Sequence, residues 1–146
     1  MSSDDALPDT FHWPLRIYWE DTDAGGVVYH SGYLRFMERA RTEWLRARGV
    51  DQIALREATG LAFVVRDMQI DFLAPARLDD ELDVSVAVQT VRRASLAFMQ
   101  SVRRCADNSE LVRARVRVAC VDINQMRPMP IPDELWNLFS TPAQTS

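Results

Sequence analysis

The chain has 146 residues, an apolar share of 47%, a charged share of 26% and a net charge of −4, the profile of one globular domain with a single core. These values exclude an intrinsically disordered chain, which lacks the apolar surface to offset chain entropy, and a global basic field of the kind that recruits nucleic acid. Five glycines and two cysteines, the latter without C-x-x-C spacing, exclude a collagen-like chain, a disulfide-stapled scaffold and a paired-thiol metal or redox motif.

Residues 1–10 are acidic and polar without an apolar centre, so they read as a flexible segment and not as a signal peptide. The domain is expected over residues 11–139, with 140–146 as a tail. No apolar run approaches the roughly 18–20 residues of a membrane span, and a reducing cytoplasm is the expected location. Leu15 to Trp19 is β-prone and stops at Glu20-Asp21-Thr22-Asp23-Ala24-Gly25-Gly26, a predicted loop. From Ser31 to Arg48 the apolar residues Tyr33, Phe36, Met37, Ala40, Trp44 and Ala47 recur at three- and four-residue spacing, which predicts an amphipathic helix. Ser31 is its expected N-cap and Gly49 its expected stop. Arg35, Glu38, Arg39, Arg41, Glu43 and Arg46 are assigned to the outer faces, with Arg39 and Glu43 placed to pair. Gln52 to Glu57 adds a short helical piece before Gly60.

After Gly60 the period becomes two. Val64, Met68, Ile70 and Phe72 share one parity, interrupted by Arg66, until Pro75 ends the run. Leu82 to Val88 alternates, Leu96, Phe98 and Val102 mark a further strand, and Asp107-Asn108-Ser109 supplies a turn. In the last strand Val112, Ala114, Val116, Val118 and Cys120 alternate with Arg113, Arg115 and Arg117. A short helix is expected from Pro132 to Phe139. The result is an α+β domain in which one long helix covers one face of an antiparallel sheet of about five strands. The apolar residues left on the other face predict a homo-oligomer.

Three carboxylates, Glu20, Asp21 and Asp23, fall within four positions just before Gly25-Gly26, His30 and the helix. A calcium loop counted from Asp21 fails at positions 5 and 12, which are Gly25 and Gly32. Two glycines are too few for a dinucleotide fingerprint, His30 and His12 too few for zinc, and no G-x-S-x-G elbow is present. No metal or cofactor is expected. An acidic turn with no further role is one reading. The other joins a carboxylate, glycines that admit a close ligand, and free helix N–H groups able to stabilise an oxyanion, a minimal kit for cleaving an acyl bond.

Residues 17–45, from Ile17-Tyr18-Trp19-Glu20-Asp21-Thr22-Asp23-Ala24-Gly25-Gly26-Val27-Val28-Tyr29-His30 through Tyr33 to Leu45, resemble the signature of the 4-hydroxybenzoyl-CoA thioesterase-like hotdog family, closest to the Tol-Pal-associated acyl-CoA thioesterases. Weaker similarity covers Arg93 to Leu96, Arg117 to Asp122 and Arg127-Pro128. The resemblance implies a long helix wrapped by a curved sheet, active sites at a dimer interface and an acyl-CoA substrate. It implies that Asp23 is the catalytic carboxylate, either a general base or a nucleophile forming a mixed anhydride. The His30 N–H would polarise the thioester carbonyl, and the His30 imidazole would either orient water or substrate or serve structure. Gly26 would allow close approach, while Tyr29 and Tyr33 would pack or line the acyl pocket.

Two rivals remain. A dehydratase of the same fold would place its histidine in another loop context, with a carboxylate on a second helix. A non-catalytic scaffold of the cell envelope would bind acyl-CoA, or dock acyl carrier protein through Arg113, Arg115 and Arg117; the plainer view of those three is a solvated strand face. Phe63, Met68, Phe72 and Met99 are candidates for an acyl tunnel. A CoA ester is a polyanion, so the acidic chain needs a local basic patch. All 17 basic residues are arginine, and Arg92, Arg93, Arg103, Arg104 and Arg127 are the candidates to hold phosphate. A dimer and a tetramer both fit.

Overall fold

The computed structural model describes residues 10–140; the expected loose ends, 1–10 and 140–146, lie outside this span apart from Thr10 and Ser140. The elements in chain order are β1 (Phe11–Arg16), a 3₁₀ turn (Trp19–Asp21), α1 (His30–Ala47), α2 (Gln52–Thr59), β2 (Leu61–Phe72), β3 (Glu81–Val91), β4 (Ser95–Arg104), β5 (Glu110–Asp122), β6 (Arg127–Pro128) and α3 (Asp133–Ser140). Five long strands form a curled antiparallel sheet in the order β1-β3-β4-β5-β2, and the two-residue β6 pairs with the end of β5. The α+β arrangement of one long helix on a single antiparallel sheet is the expected one.

Helix α1 buries Tyr33, Phe36, Met37, Ala40 and Trp44, as its periodicity predicts, together with Gly32 and Leu45. Each large side chain of that stripe contributes roughly 1.5–3 kcal/mol by leaving water. Its ends differ from expectation. Tyr29, not Ser31, occupies the N-cap position, and it makes no side-chain capping bond. Gly49 follows the C-cap with φ +81°, where a side chain is strained. Glu43 pairs with Arg46 instead of Arg39, and Arg41, assigned to an outer face, is buried.

The first strand starts and ends earlier than the β-prone stretch suggests, and it includes His12, whose Nδ1 lies 2.7 Å from Asp83 Oδ2. In β2, Arg66 is an extra residue: Val65 pairs with Val118 and Asp67 with Arg117. This bulge exchanges the faces of the strand, so Phe63 packs on the core before it and Met68 and Ile70 after it. Val64 therefore does not share a face with Met68.

Strand β5 holds Val112, Ala114, Val116 and Cys120 fully or nearly buried. Burial pushes the Cys120 thiol up to about 11, which leaves it protonated and inert at neutral pH. The alternate residues face outward, where Arg113 meets Glu110, Arg115 Nε donates to Gln89 Oε1 at 2.7 Å, and Arg117 meets Asp67.

Candidate active site

The acidic segment folds as a tight loop whose shape follows from its own side chains. Asp21 Oδ2 accepts the Tyr18 N–H at 2.9 Å and Thr22 Oγ1 donates to Trp19 O at 2.9 Å. Asp23 N donates to Val27 O at 2.9 Å, and Gly26 N donates back to Asp23 O at 3.0 Å. Gly26 has φ +78°, and a Cβ there would meet nothing within 4 Å. Its requirement in the free protein is therefore conformational. Asp23 Oδ1 accepts the N–H groups of Gly25 (2.8 Å) and Val27 (3.3 Å). These bonds fix the carboxylate in an Asx-type turn. Its Oδ2 makes no hydrogen bond among the described residues.

Residues 74–80 brace this loop from behind. Val28 N donates to Ala76 O (3.0 Å), Leu78 N to Gly26 O (3.1 Å), and Ala76 N to Tyr33 Oη (2.8 Å). Arg104 ties the brace to the sheet: Nε meets Asp80 Oδ2 at 3.0 Å and Nη2 donates to Pro75 O at 2.9 Å. Sequence reasoning offered Arg103 and Arg104 to phosphate. The structure instead engages Arg104 here and with Asp107, and sets Arg103 beside Glu110 and Asn108 O. Only a contact across distant segments reveals that role.

A cleft of about 480 Å³ opens beside Asp23, walled by Tyr29, His30, Tyr33, Phe72 and Pro75 among others. The His30 ring stacks on Phe72, centroids 4.2 Å apart and planes 16° apart. Burial raises the Tyr33 hydroxyl above its ordinary pKa, opposed by its bond from Ala76. It is thus a neutral acceptor in the wall and no base. The first turn of α1 begins at His30, so the His30 and Ser31 N–H groups have no intrahelical acceptor and carry the positive end of the helix.

The fold brings Asp23, Gly26, Tyr29, His30 and Tyr33 together but sets Arg92, Arg93 and Arg127 apart from them. Phe72 lies opposite Val112, whereas Arg127 lies opposite Asp122. Ten residues of β5 separate these levels, about 30 Å along the strand. Arg92 and Arg93 sit in the β3–β4 turn at the same far end, where Ile131 N donates to Arg93 O at 2.8 Å. Of the tunnel candidates only Phe72 reaches the Asp23 cleft. Phe63 lines a second cleft, Met68 packs against the core, and Met99 lies opposite the outward Arg115.

The profile of the thioesterase-like superfamily matches residues 17–139. The acyl-CoA thioester hydrolase YbgC of Escherichia coli O6:H1 is 49% identical over 125 residues, covering 86% of this chain and 92% of that protein. The acyl-CoA thioesterase YbgC of Haemophilus influenzae is 47% identical over 133 residues, 91% of this chain and 96% of its own length. Among solved structures, a 4-hydroxybenzoyl CoA thioesterase variant complexed with 4-hydroxybenzoyl CoA superposes with a TM-score of 0.83 at 20% identity, covering 90% of this chain and 99% of that one. That likeness shows the fold. With the cleft, the sheet order and the sequence relatives in agreement, this chain belongs to the thioesterase-like hotdog superfamily, on the YbgC branch.

Proposed function

We propose that the protein hydrolyses acyl-CoA thioesters at the Asp23 cleft. The observation that carries this reading is the Asp23 carboxylate itself: two backbone N–H groups tether Oδ1, while Oδ2 has no hydrogen bond among the described residues and lies in the cleft that the opening turn of α1 lines. Such a pair sets a base or nucleophile next to oxyanion donors. Water adds to the acyl carbon, its proton passes to Asp23, the C–S bond breaks, and the thiolate leaves and is reprotonated. In the covalent variant Asp23 attacks first and water then cleaves the mixed anhydride. The N–H of His30 polarises the carbonyl in both, and the His30 ring on Phe72 serves as wall. A thiolate leaves readily (reference thiol pKa about 8.5), so one carboxylate is a sufficient acid–base apparatus.

Arg92, Arg93 and Arg127 supply the phosphate grip, and they do so in a homodimer. All three are exposed, and none forms an ion pair among the described residues. Strand β2 is an edge of the sheet, twelve residues long, with Val65 and Phe72 48% and 43% exposed. The other edge, β1, has six residues and contains Pro14, which cannot donate to a neighbouring strand. A long unpaired edge is a template for pairing. Antiparallel pairing of β2 with its own copy sets the Asp23 end of one subunit beside the arginine end of the other. The free thiols of Cys105 and Cys120 suit a reducing cytoplasm. Docking of acyl carrier protein on Arg113, Arg115 and Arg117 is disfavoured, because Glu110, Gln89 and Asp67 already engage those side chains.

Asp23→Asn keeps an oxygen for Gly25 and Val27 but removes the base and nucleophile. Thiol release from a panel of aliphatic and aromatic acyl-CoA substrates should fall by about 10²–10⁴-fold with the thermal midpoint unchanged. Turnover near the unmutated rate would overturn the assignment.

A further inference from the structure

A second cleft of about 390 Å³ lies between α1, α2 and strands β2, β4 and β5, with Phe63, Leu96, Phe98 and Val118 among its walls. It shares no lining residue with the Asp23 cleft. Arg41 lines it, eleven residues beyond His30 and about 16 Å along α1. The Arg41 side chain belongs to a residue only 9% exposed, on a helix face that otherwise carries Met37, Ala40 and Trp44.

The Arg41 guanidinium is held in one orientation. Its Nη1 donates to Gln100 Oε1 at 2.8 Å. Gln100 is 2% exposed, and its Nε2 donates to Met37 O at 3.1 Å and Ser85 O at 3.4 Å. Those bonds turn the carboxamide oxygen toward Arg41. A guanidinium has five N–H donors, and this is its one side-chain bond among the described residues. No carboxylate stands within ion-pair distance of it there; Glu38, one turn earlier on the exposed rim, acts only through its field. Burial pushes the Arg41 pKa down and Glu38 partly opposes this, yet an arginine remains charged. A buried cation with no carboxylate to neutralise it costs stability, and an apolar residue of similar volume at this position would avoid that cost.

We propose that this cleft is a carboxylate site, taking a singly charged headgroup on Arg41 and the apolar body against Phe63, Leu96 and Phe98. A dianionic phosphate suits it less, since one guanidinium and a nearby Glu38 give little net positive charge. The carboxylate has two possible sources, both resting on the hydrolase reading: the free acid that the reaction releases, or the distal carboxylate of an acyl chain.

Calorimetry on the unmutated protein with hexanoate and with neutral 1-hexanol tests the site without using catalysis. Hexanoate should bind at least tenfold tighter than hexanol. Arg41→Gln should weaken hexanoate by about ten- to a hundredfold, as expected for losing a charged hydrogen bond. Glu38→Gln should tighten it. Phe63→Trp fills the cleft and leaves Arg41 in place, so it should also lose hexanoate. Equal binding of hexanoate and hexanol, or hexanoate binding that survives Arg41→Gln and Phe63→Trp, overturns the proposal. The source is read from kinetics: if Arg41→Gln lowers kcat/KM for dodecanedioyl-CoA, whose chain is long enough to span from His30 to Arg41, and spares dodecanoyl-CoA, the acyl chain supplies the carboxylate. If both are spared while hexanoate binding falls, the free acid does. If thiol release fails for every acyl-CoA while hexanoate still needs Arg41, the site stands and the hydrolase reading falls.

Discussion

The two ends of the sheet treat arginine differently. At the end that holds Asp23, Arg16 meets Glu81, Arg104 meets Asp80 and Asp107, and Glu110 takes both Arg103 and Arg113. At the other end Arg92, Arg93 and Arg127 have no ion pair among the described residues. Paired arginines are structural and have no charge to spare, so the number of arginines near a reaction centre is a poor guide to anion binding. Arg92, Arg93 and Arg127 lie about 30 Å from Asp23 within one chain, while Arg77, exposed and bridged to Val27 of the Asp23 loop, is the exception near the acid, with no ion pair among the described residues. In the proposed homodimer, Arg92, Arg93 and Arg127 of one copy come beside the Asp23 end of the other.

The strongest way to break that comparison is to separate the copies. Val65→Asp puts a charge on the exposed β2 edge, and sedimentation should show the particle mass halved, with thiol release falling to about the level of Asp23→Asn. Retained activity in a demonstrated monomer would mean that one chain holds the whole site. Weakening the grip alone is milder. Arg92→Ala with Arg93→Ala should raise KM for acyl-CoA by about tenfold or more, leave kcat within a few-fold, and reduce the dependence of KM on salt. A thioester of N-acetylcysteamine, which lacks the phosphates, should be insensitive to the same pair of changes.

The smallest effect concerns the paired end. Burial would raise the Glu110 pKa, but the bonds from Arg113 and Ser101 and the fields of Arg113 and Arg103 outweigh it and hold the carboxyl below its ordinary value. Asp107 is lowered as well, chiefly by Ser109. A carboxylate lowered in the folded state adds stability that is complete above its unfolded pKa of about 4.3 and is lost as pH falls through the folded value. Glu110→Gln should therefore flatten the loss of thermal midpoint below about pH 4.3 while leaving thiol release at neutral pH unchanged.

Much of this was legible along the chain because it is local. The spacing of Tyr33 to Trp44 predicts α1, and alternation from Val112 to Cys120 predicts β5 with its outward arginines. The loop around Asp23 is shaped by its own side chains through bonds spanning two to four residues, so the resemblance of residues 17–45 carried the family. Local rules also misled in identifiable places. The extra residue at Arg66 exchanged the faces of β2, and the polar pattern of α1 put Arg41 outside because its partner, Gln100, is 59 residues away.

The sequence by itself, then, determined the long helix, the alternating strands and the acidic loop with Asp23. Tertiary structure alone decided which arginines remain available to a ligand, that β2 ends at an edge beside β5, that Tyr33 is locked by Ala76, and that a second cleft closes over Arg41. The physical reason is range. Helix, strand and turn patterns report contacts a few residues apart, whereas charge pairing and sheet order join segments separated by 40 residues or more, as Tyr33 with Ala76 and Asp67 with Arg117 do.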